Sequence, residues 1–233
     1  MFSPLRAVFF DVDGVLLDSL PQHLRICHDK AVEFGLKLRI PNVEEFRSWV
    51  SRGVRVSPMR YFFLAVGFPP AYADRAVTDY EREFAHKYRP QPFEGVDAML
   101  RGLHDARLTL GMVTSNTRDN VLQALGPTSE HFESSYCYFF ERDAATPRPK
   151  SWFLANGAQL VGGRPTECVY VGDQPADADA ARDAGVHFLG VTYGWGITRG
   201  DTRYETVDTV AGIANRLLVC TSSVPSADRV AQD

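Results

Sequence analysis

The chain has 233 residues, is 45% hydrophobic and 12% aromatic, and carries a formal charge of −4; this suits one large domain, or a core with a smaller insertion. The negative balance excludes a general attraction to nucleic acid or to an anionic membrane surface, so no nucleic-acid and no membrane partner is expected. Individual basic residues remain able to bind a small anion. Four cysteines, Cys27, Cys137, Cys168 and Cys220, lie far apart with no zinc-site or redox spacing, and Cys168 reads as a small core residue. The opening MFSPLRAVFFDVDG has no long apolar stretch behind a basic start, and no apolar run reaches membrane-spanning length. A cytoplasmic protein is the expectation.

In chain order, AVFFDVDG (7–14) is the first apolar run that predicts a buried strand. Residues from about 20 to 90 then read as helix after helix: LPQHLRICHDKAVEFGL, NVEEFRSWVSRG, SPMRYFFLAVG and AYADRAVTDYEREFAHKYR. The segment RPQPFEGV (89–96), with two prolines, marks a return from this block. Helical GVDAMLRGLHDA follows, then a second strand, LTLGMVTSN (108–116), and two more helices, TRDNVLQALG and SWFLANGAQLVGG. CVYVGDQ (168–174) is the third strand, DADAARDAG a helix, and VHFLGVTYG (186–194) a pair of short strands or a strand and loop. Short runs rich in Val, Phe and Tyr fit strands buried on both faces, and several helices close on glycine.

Strand and helix in alternation predict a parallel sheet with right-handed crossovers and helices on both faces. The expected fold is therefore α/β: a Rossmann-like three-layer core with a parallel central sheet and an inserted α-helical cap. The expected boundaries are 1–18 and 91–220 for the core, 19–90 for the cap, and 221–233 for a polar, flexible tail. Nothing in the sequence sets an oligomeric state.

Each predicted strand ends in polar side chains. The first ends in Asp11 and Asp13, the second in Thr114, Ser115 and Asn116, the third in Gly172 and Asp173, with Asp177 four residues on. Open parallel sheets bind ligands beyond the carboxyl ends of their strands, so these endings can converge. Carboxylates at the end of a buried strand need a partner, and hard cations such as magnesium favour carboxylates together with water and phosphate oxygens. The alternative is solvated loop aspartates or helix caps, and Asp177, at the start of DADAARDAG, competes as a cap. Thr114, Ser115 and Asn116 can hydrogen-bond a phosphate with the help of the next helix N-terminus; capping of TRDNVLQAL is the plainer alternative.

Taken together, DVDGVLLDS, GMVTSN and VGDQPADADAARDAG resemble the first, second and fourth motifs of the haloacid dehalogenase superfamily, in its helical-cap branch of phosphoglycolate phosphatase and beta-phosphoglucomutase type. The likeness extends over most of residues 7–196. It implies that Asp11 is a nucleophile forming an aspartyl-phosphate, and that Asp13 is the acid and then the base. It implies Mg2+ as cofactor, contacted by the Asp11 side chain, the Asp13 backbone carbonyl and Asp173, with Asp177 acting through water. Thr114 would hold the phosphoryl group.

The third motif departs from the family's usual Lys-Pro. The text is TPRPKSWFLA, in which Arg148-Pro149 falls on that position by count and Lys150 is the nearby lysine. Lys150 is favoured, because a compact ammonium can approach both phosphate and Asp11; Arg148 is the alternative. In the cap, Arg52, Gly53 and Arg55 lie in an inter-helix turn where Arg52 can face a substrate anion, or stand as a solvated surface arginine. His23 is placed to touch a bound substrate, or to be an ordinary surface or capping histidine. The expected activity is magnesium-dependent hydrolysis of a small phosphomonoester. A phosphosugar mutase and a non-catalytic ligand-binding member of the fold are the alternatives, and the presence of Asp13 counts against a dehalogenase.

Overall fold

Alternate residues of the first strand face opposite ways, and that alternation divides the molecule into layers. Strand β1 (Ala7–Phe10) is buried along its whole length. Its Val8 and Phe10 join one apolar cluster, with Leu100 and Leu103 of α5 (Val96–Asp105) and Ile213 and Leu217 of α9 (Val210–Thr221). Its Ala7 and Phe9 join another on the opposite face, with Leu154 and Ala158 of α7 (Lys150–Leu160) and Ala181 of α8 (Pro175–Ala184). Helix, sheet and helix are stacked in that order. Each fully buried Phe or Leu contributes about 1.5–3 kcal/mol relative to exposure.

The computed structural model describes residues 5–140 and 148–221. Strands β4 (Thr109–Val113), β5 (Cys137–Tyr138), β6 (Cys168–Gly172), β7 (His187–Val191) and β8 (Thr206–Val207) complete the sheet in the order β5-β4-β1-β6-β7-β8. All of its pairings are parallel, with Ala7 opposite Thr109 on one side and Cys168 on the other. The central strands β4, β1 and β6 therefore end at one level, which is what lets their polar endings meet. VHFLGVTYG is a strand and loop. Sequence expectations stop at that loop, and β8 and α9 extend the fold beyond it. Of the expected tail, 221–233, Thr221 instead closes α9, and residues from 222 onward lie outside the described residues.

Two further strands, β2 (Leu17–Asp18) and β3 (Gln91–Pro92), pair antiparallel, Leu17 opposite Pro92. Between them run α1 (Leu20–Glu33), α2 (Val43–Ser51), α3 (Met59–Val66), α4 (Pro70–Glu83) and a π-helical turn, Phe84–Tyr88. Helix α2 starts on a capping box: the Asn42 side chain accepts from the Glu45 N–H at 2.8 Å, and Glu45 accepts from the Asn42 N–H at 3.0 Å. The helices build an apolar cluster of their own from Ile26, Phe46, Phe62, Phe63 and Phe84, into which the core contributes Trp195. Lys30 of α1 is buried against Asp79 of α4 at 2.8 Å and also reaches Glu33 at 2.8 Å. Among the described residues no helix is long and apolar enough to cross a membrane.

Candidate active site

The carboxyl ends of β1, β4 and β6 bring Asp11, Thr114 and Asp173 into one space, and α8 adds Asp177 from its first turn. Ligand oxygens of Asp11, Asp173 and Asp177 lie within 4.8 Å of one another, and all three residues are buried. Asp11 is held by the N–H of Val12 on Oδ1 at 2.9 Å and by Lys150 Nζ on Oδ2 at 2.8 Å. The same ammonium donates to Asp177 Oδ1 at 2.8 Å and to the phenol oxygen of Tyr170 at 3.0 Å. Tyr170 in turn donates to the Val113 carbonyl at 2.8 Å, which locks the ring behind the cluster.

Lys150 stands at the start of α7, so its stem enters the site from the helix N-terminus. Burial alone would push its ammonium down, but the Asp11 and Asp177 carboxylates hold it well above its usual range. Arg148 goes elsewhere. It is exposed, with its guanidinium 3.8 Å from the centre of the Trp152 ring.

Three carboxylates face one ammonium here, and the excess charge is costly in a buried place. Burial pushes Asp11 up to about 7, with Lys150 opposing and Asp177 adding to the rise. Burial, then Asp177 and Asp11, push Asp173 well above the usual carboxylate range. Asp173 is 0% exposed, and among the described residues its Oδ1 has no hydrogen-bond partner. A buried, unpartnered carboxylate oxygen beside two others is the donor set that a hard divalent cation satisfies. Asp177 differs from its neighbours. Its Oδ2 accepts from the N–H groups of Asp173 and Gln174 at 3.2 and 3.1 Å, so it caps α8 while Lys150 takes its other oxygen. With both oxygens engaged, it would reach an ion through water.

Asp173 is gripped by the chain beyond β7. Trp195 donates its N–H to Oδ2 at 2.5 Å, and the N–H groups of Gly196 and Ile197 donate to the Asp173 carbonyl. Gly14 has φ 81°, and a Cβ there would meet Asp173 Oδ2 at 2.2 Å; one on Gly194 would meet Asp173 Cβ at 2.4 Å. Only glycine fits either approach.

The Asp13 carboxylate lies outside that cluster. It accepts from Ser19 Oγ at 2.6 Å and from Asn116 Nδ2 at 2.8 Å. Thr114 Oγ1 accepts from the Asn116 N–H at 3.1 Å. A cavity of about 40 Å³ opens over these groups, lined by Asp11, Asp13, Thr114, Ser115 and Asn116 and roofed by helical-insertion side chains.

His23 belongs to that roof. It is 2% exposed rather than a surface histidine, with its ring among Phe62, Tyr80, Phe84 and Trp195. Arg52 does not reach the cavity: it is exposed in the turn that ends α2. Tyr170, Tyr80 and Trp195 were not singled out from the sequence. A signal for Tyr170 was present, since a phenol inside a strand buried on both faces must find partners.

Residues 8–191 match the model of the haloacid dehalogenase-like hydrolase family, and the chain belongs to that family. It is a hydrolase of the phosphatase kind. It is 32% identical over 201 residues to a phosphoglycolate phosphatase of Xylella fastidiosa, covering 82% of this chain and 81% of the relative. It is 28% identical over 202 residues to an N-acetylmuramic acid 6-phosphate phosphatase of Pseudomonas aeruginosa, covering 82% and 83%. The solved structure of a haloacid dehalogenase-like hydrolase from Streptococcus pneumoniae superposes with a TM-score of 0.71 at 20% identity, covering 93% of this chain and 98% of that one, which shows the fold.

Proposed function

We propose that the protein is a magnesium-dependent phosphatase that hydrolyses a small phosphomonoester through an aspartyl-phosphate on Asp11. The observation that carries this reading is the pairing of Lys150 with Asp11 at 2.8 Å beside the unpartnered Oδ1 of Asp173. The curated relatives named phosphoglycolate phosphatase and N-acetylmuramic acid 6-phosphate phosphatase support the phosphomonoester class.

Asp11 and Asp173, with the Asp13 backbone carbonyl and Asp177 through water, would hold magnesium, which supplies positive charge against the phosphoryl oxygens. Asp11, oriented by Val12 and Lys150, forms the new bond to phosphorus as the ester P–O bond breaks. Asp13, aimed by Ser19 and Asn116, gives its proton to the departing alkoxide, then takes one from the water that cleaves the aspartyl-phosphate. Thr114 accepts from the Asn116 N–H, which leaves its own proton for a phosphoryl oxygen. Lys150 offsets charge on Asp11 and on the group being transferred.

On the same reading, residues 19–90 form a cap over a core of 1–18 and 91–220. The β2–β3 pair that brackets the helices and their separate apolar cluster support it. The test is phosphate release from a panel of small phosphate esters with magnesium, compared with the Asp11→Asn protein. Turnover by wild type and its loss in the variant is the expected result; full activity in the variant would refute the nucleophile.

A further inference from the structure

Every polar group of Asn116 is already engaged within the protein. The residue is 4% exposed; its N–H donates to Thr114 Oγ1 at 3.1 Å, and its carbonyl accepts from the Phe140 N–H at 2.9 Å. The side-chain Oδ1 accepts from the Thr117 N–H at 2.8 Å, a group that can only donate, and this fixes which way the amide faces. One Nδ2 proton then goes to Asp13 Oδ2 at 2.8 Å, and the other to the hydroxyl oxygen of Tyr80.

Tyr80 belongs to α4 of the helical insertion and is 3% exposed. Its hydroxyl lies 3.3 Å from His23 Nε2. The Nδ1 of that ring is 2.7 Å from the Ser19 carbonyl, which can only accept, so Nδ1 carries a proton. Burial holds His23 below its usual range, in the neutral form, and Nε2 is then a lone pair that takes the Tyr80 proton. Ser19, which precedes α1, closes the circuit, because its Oγ donates to Asp13 Oδ1 at 2.6 Å. Asp13, Asn116, Tyr80, His23 and Ser19 thus form a ring in which every bond has one donor and one acceptor. Both oxygens of the Asp13 carboxylate are held from it, one through the core and one through the insertion.

Resting on the phosphatase reading above, we infer that Tyr80 is a positioning residue which, acting through Asn116, aims the Asp13 carboxyl at the departing oxygen of the substrate. The phenol is packed between the rings of His23 and Phe84, so its oxygen is a fixed acceptor. Without that oxygen, Asn116 keeps a buried N–H with no partner, and the amide is free to turn away from Asp13. Proton transfer needs its heavy atoms within hydrogen-bond reach, so a small turn of the carboxyl slows the step that needs the proton. A step that needs none is touched far less.

The test compares two phosphates of nearly equal size. Ethyl phosphate releases an ethoxide that must be protonated as it leaves, whereas acetyl phosphate releases acetate as a stable anion. Their kcat/KM values cover transfer to Asp11 and exclude the later hydrolysis of the aspartyl-phosphate, which both share. Tyr80→Phe should lower kcat/KM for ethyl phosphate about tenfold more than for acetyl phosphate, a fraction of the roughly hundredfold or more that general acid catalysis supplies. In an Asn116→Ala background the same substitution should add little, since its route to Asp13 is gone. Equal losses on the two phosphates, or effects of the two substitutions that simply multiply, would overturn the inference and leave the phosphatase reading standing. The ratio for Tyr80→Phe decides by itself if Asn116→Ala does not fold. No Asp11-dependent release from either phosphate would sink that reading and the inference with it.

Discussion

Trp195 donates its backbone N–H to the buried carboxylate of Asp173 at 2.5 Å, while its indole ring sits 5.0 Å from the ring of His23. One residue of the core thus steadies an acidic side chain of the site and fills the apolar cluster of the helical insertion. Trp195→Ala keeps the backbone donor and deletes a side chain that is 6% exposed. Chemical denaturation should show a loss of about 3–5 kcal/mol, as for other large-to-small core changes. Trp195→Phe should lose much less.

The two cations of the third motif separate by contact. Lys150→Ala leaves Asp11 and Asp177 buried without their ammonium, and kcat should fall by about two orders of magnitude or more, in line with lost charge stabilisation at a reacting centre. Among the described residues, Arg148→Ala removes an exposed cation–π contact, worth about 0.5–1 kcal/mol at a surface. Its kcat/KM should stay near wild type. Steady-state kinetics of the two variants side by side checks both.

Charge excess in the acidic cluster makes a prediction that needs no turnover. Magnesium should raise the melting temperature, and a concentration a hundred times its Kd adds about 2.7 kcal/mol. Asp173→Asn removes one buried carboxylate, so it should stabilise the metal-free protein and shrink the magnesium shift. A magnesium-induced shift that Asp173→Asn left intact would count against Asp173 as a ligand.

The same cluster sets a pH dependence. Asp11 is pushed from the ordinary 3.8 up to about 7 by burial, so between those values the folded metal-free protein holds a proton that the unfolded chain has lost. Stability from this group therefore falls as pH rises from about 4 toward 7. Urea titrations of wild type and Asp11→Asn, without metal, should diverge over that window, the variant gaining on wild type as pH rises. Magnesium should reduce the divergence.

Lys30 offers a prediction within the helical insertion. It is 3% exposed and joins α1 to Asp79 on α4. Burial works against its charge, but hydrogen bonds to Asp79 and Glu33 more than offset that and hold it above its usual range. Lys30→Ala should cost about 2–4 kcal/mol, toward the low end for a buried pair because Glu33 is half exposed. Lys30→Met combined with Asp79→Leu should recover most of it, which thermal unfolding of the series would measure.

The sequence by itself determined the layers and the polar strand ends. Short runs rich in Val, Phe and Tyr fit strands buried on both faces, and a strand that stops on Asp11 or Asp173 advertises a partner, because carboxylates do not stay buried alone. The long helices were equally legible, since their apolar spacing is local. Two-residue strands such as β2, β5 and β8 were not, because two residues carry no period. Tertiary structure decided what depends on distant chain segments. Arg148 and Lys150 are separated by one proline, and which of them meets Asp11, 139 residues away, is set by how the start of α7 is packed against β1. The same holds for His23 and Arg52. Both are polar residues of helical segments, yet α4 and the loop after β7 close over the first, while the turn ending α2 leaves the second in water. Local pattern encodes which face of an element is buried; only the packing of elements decides what lies opposite that face.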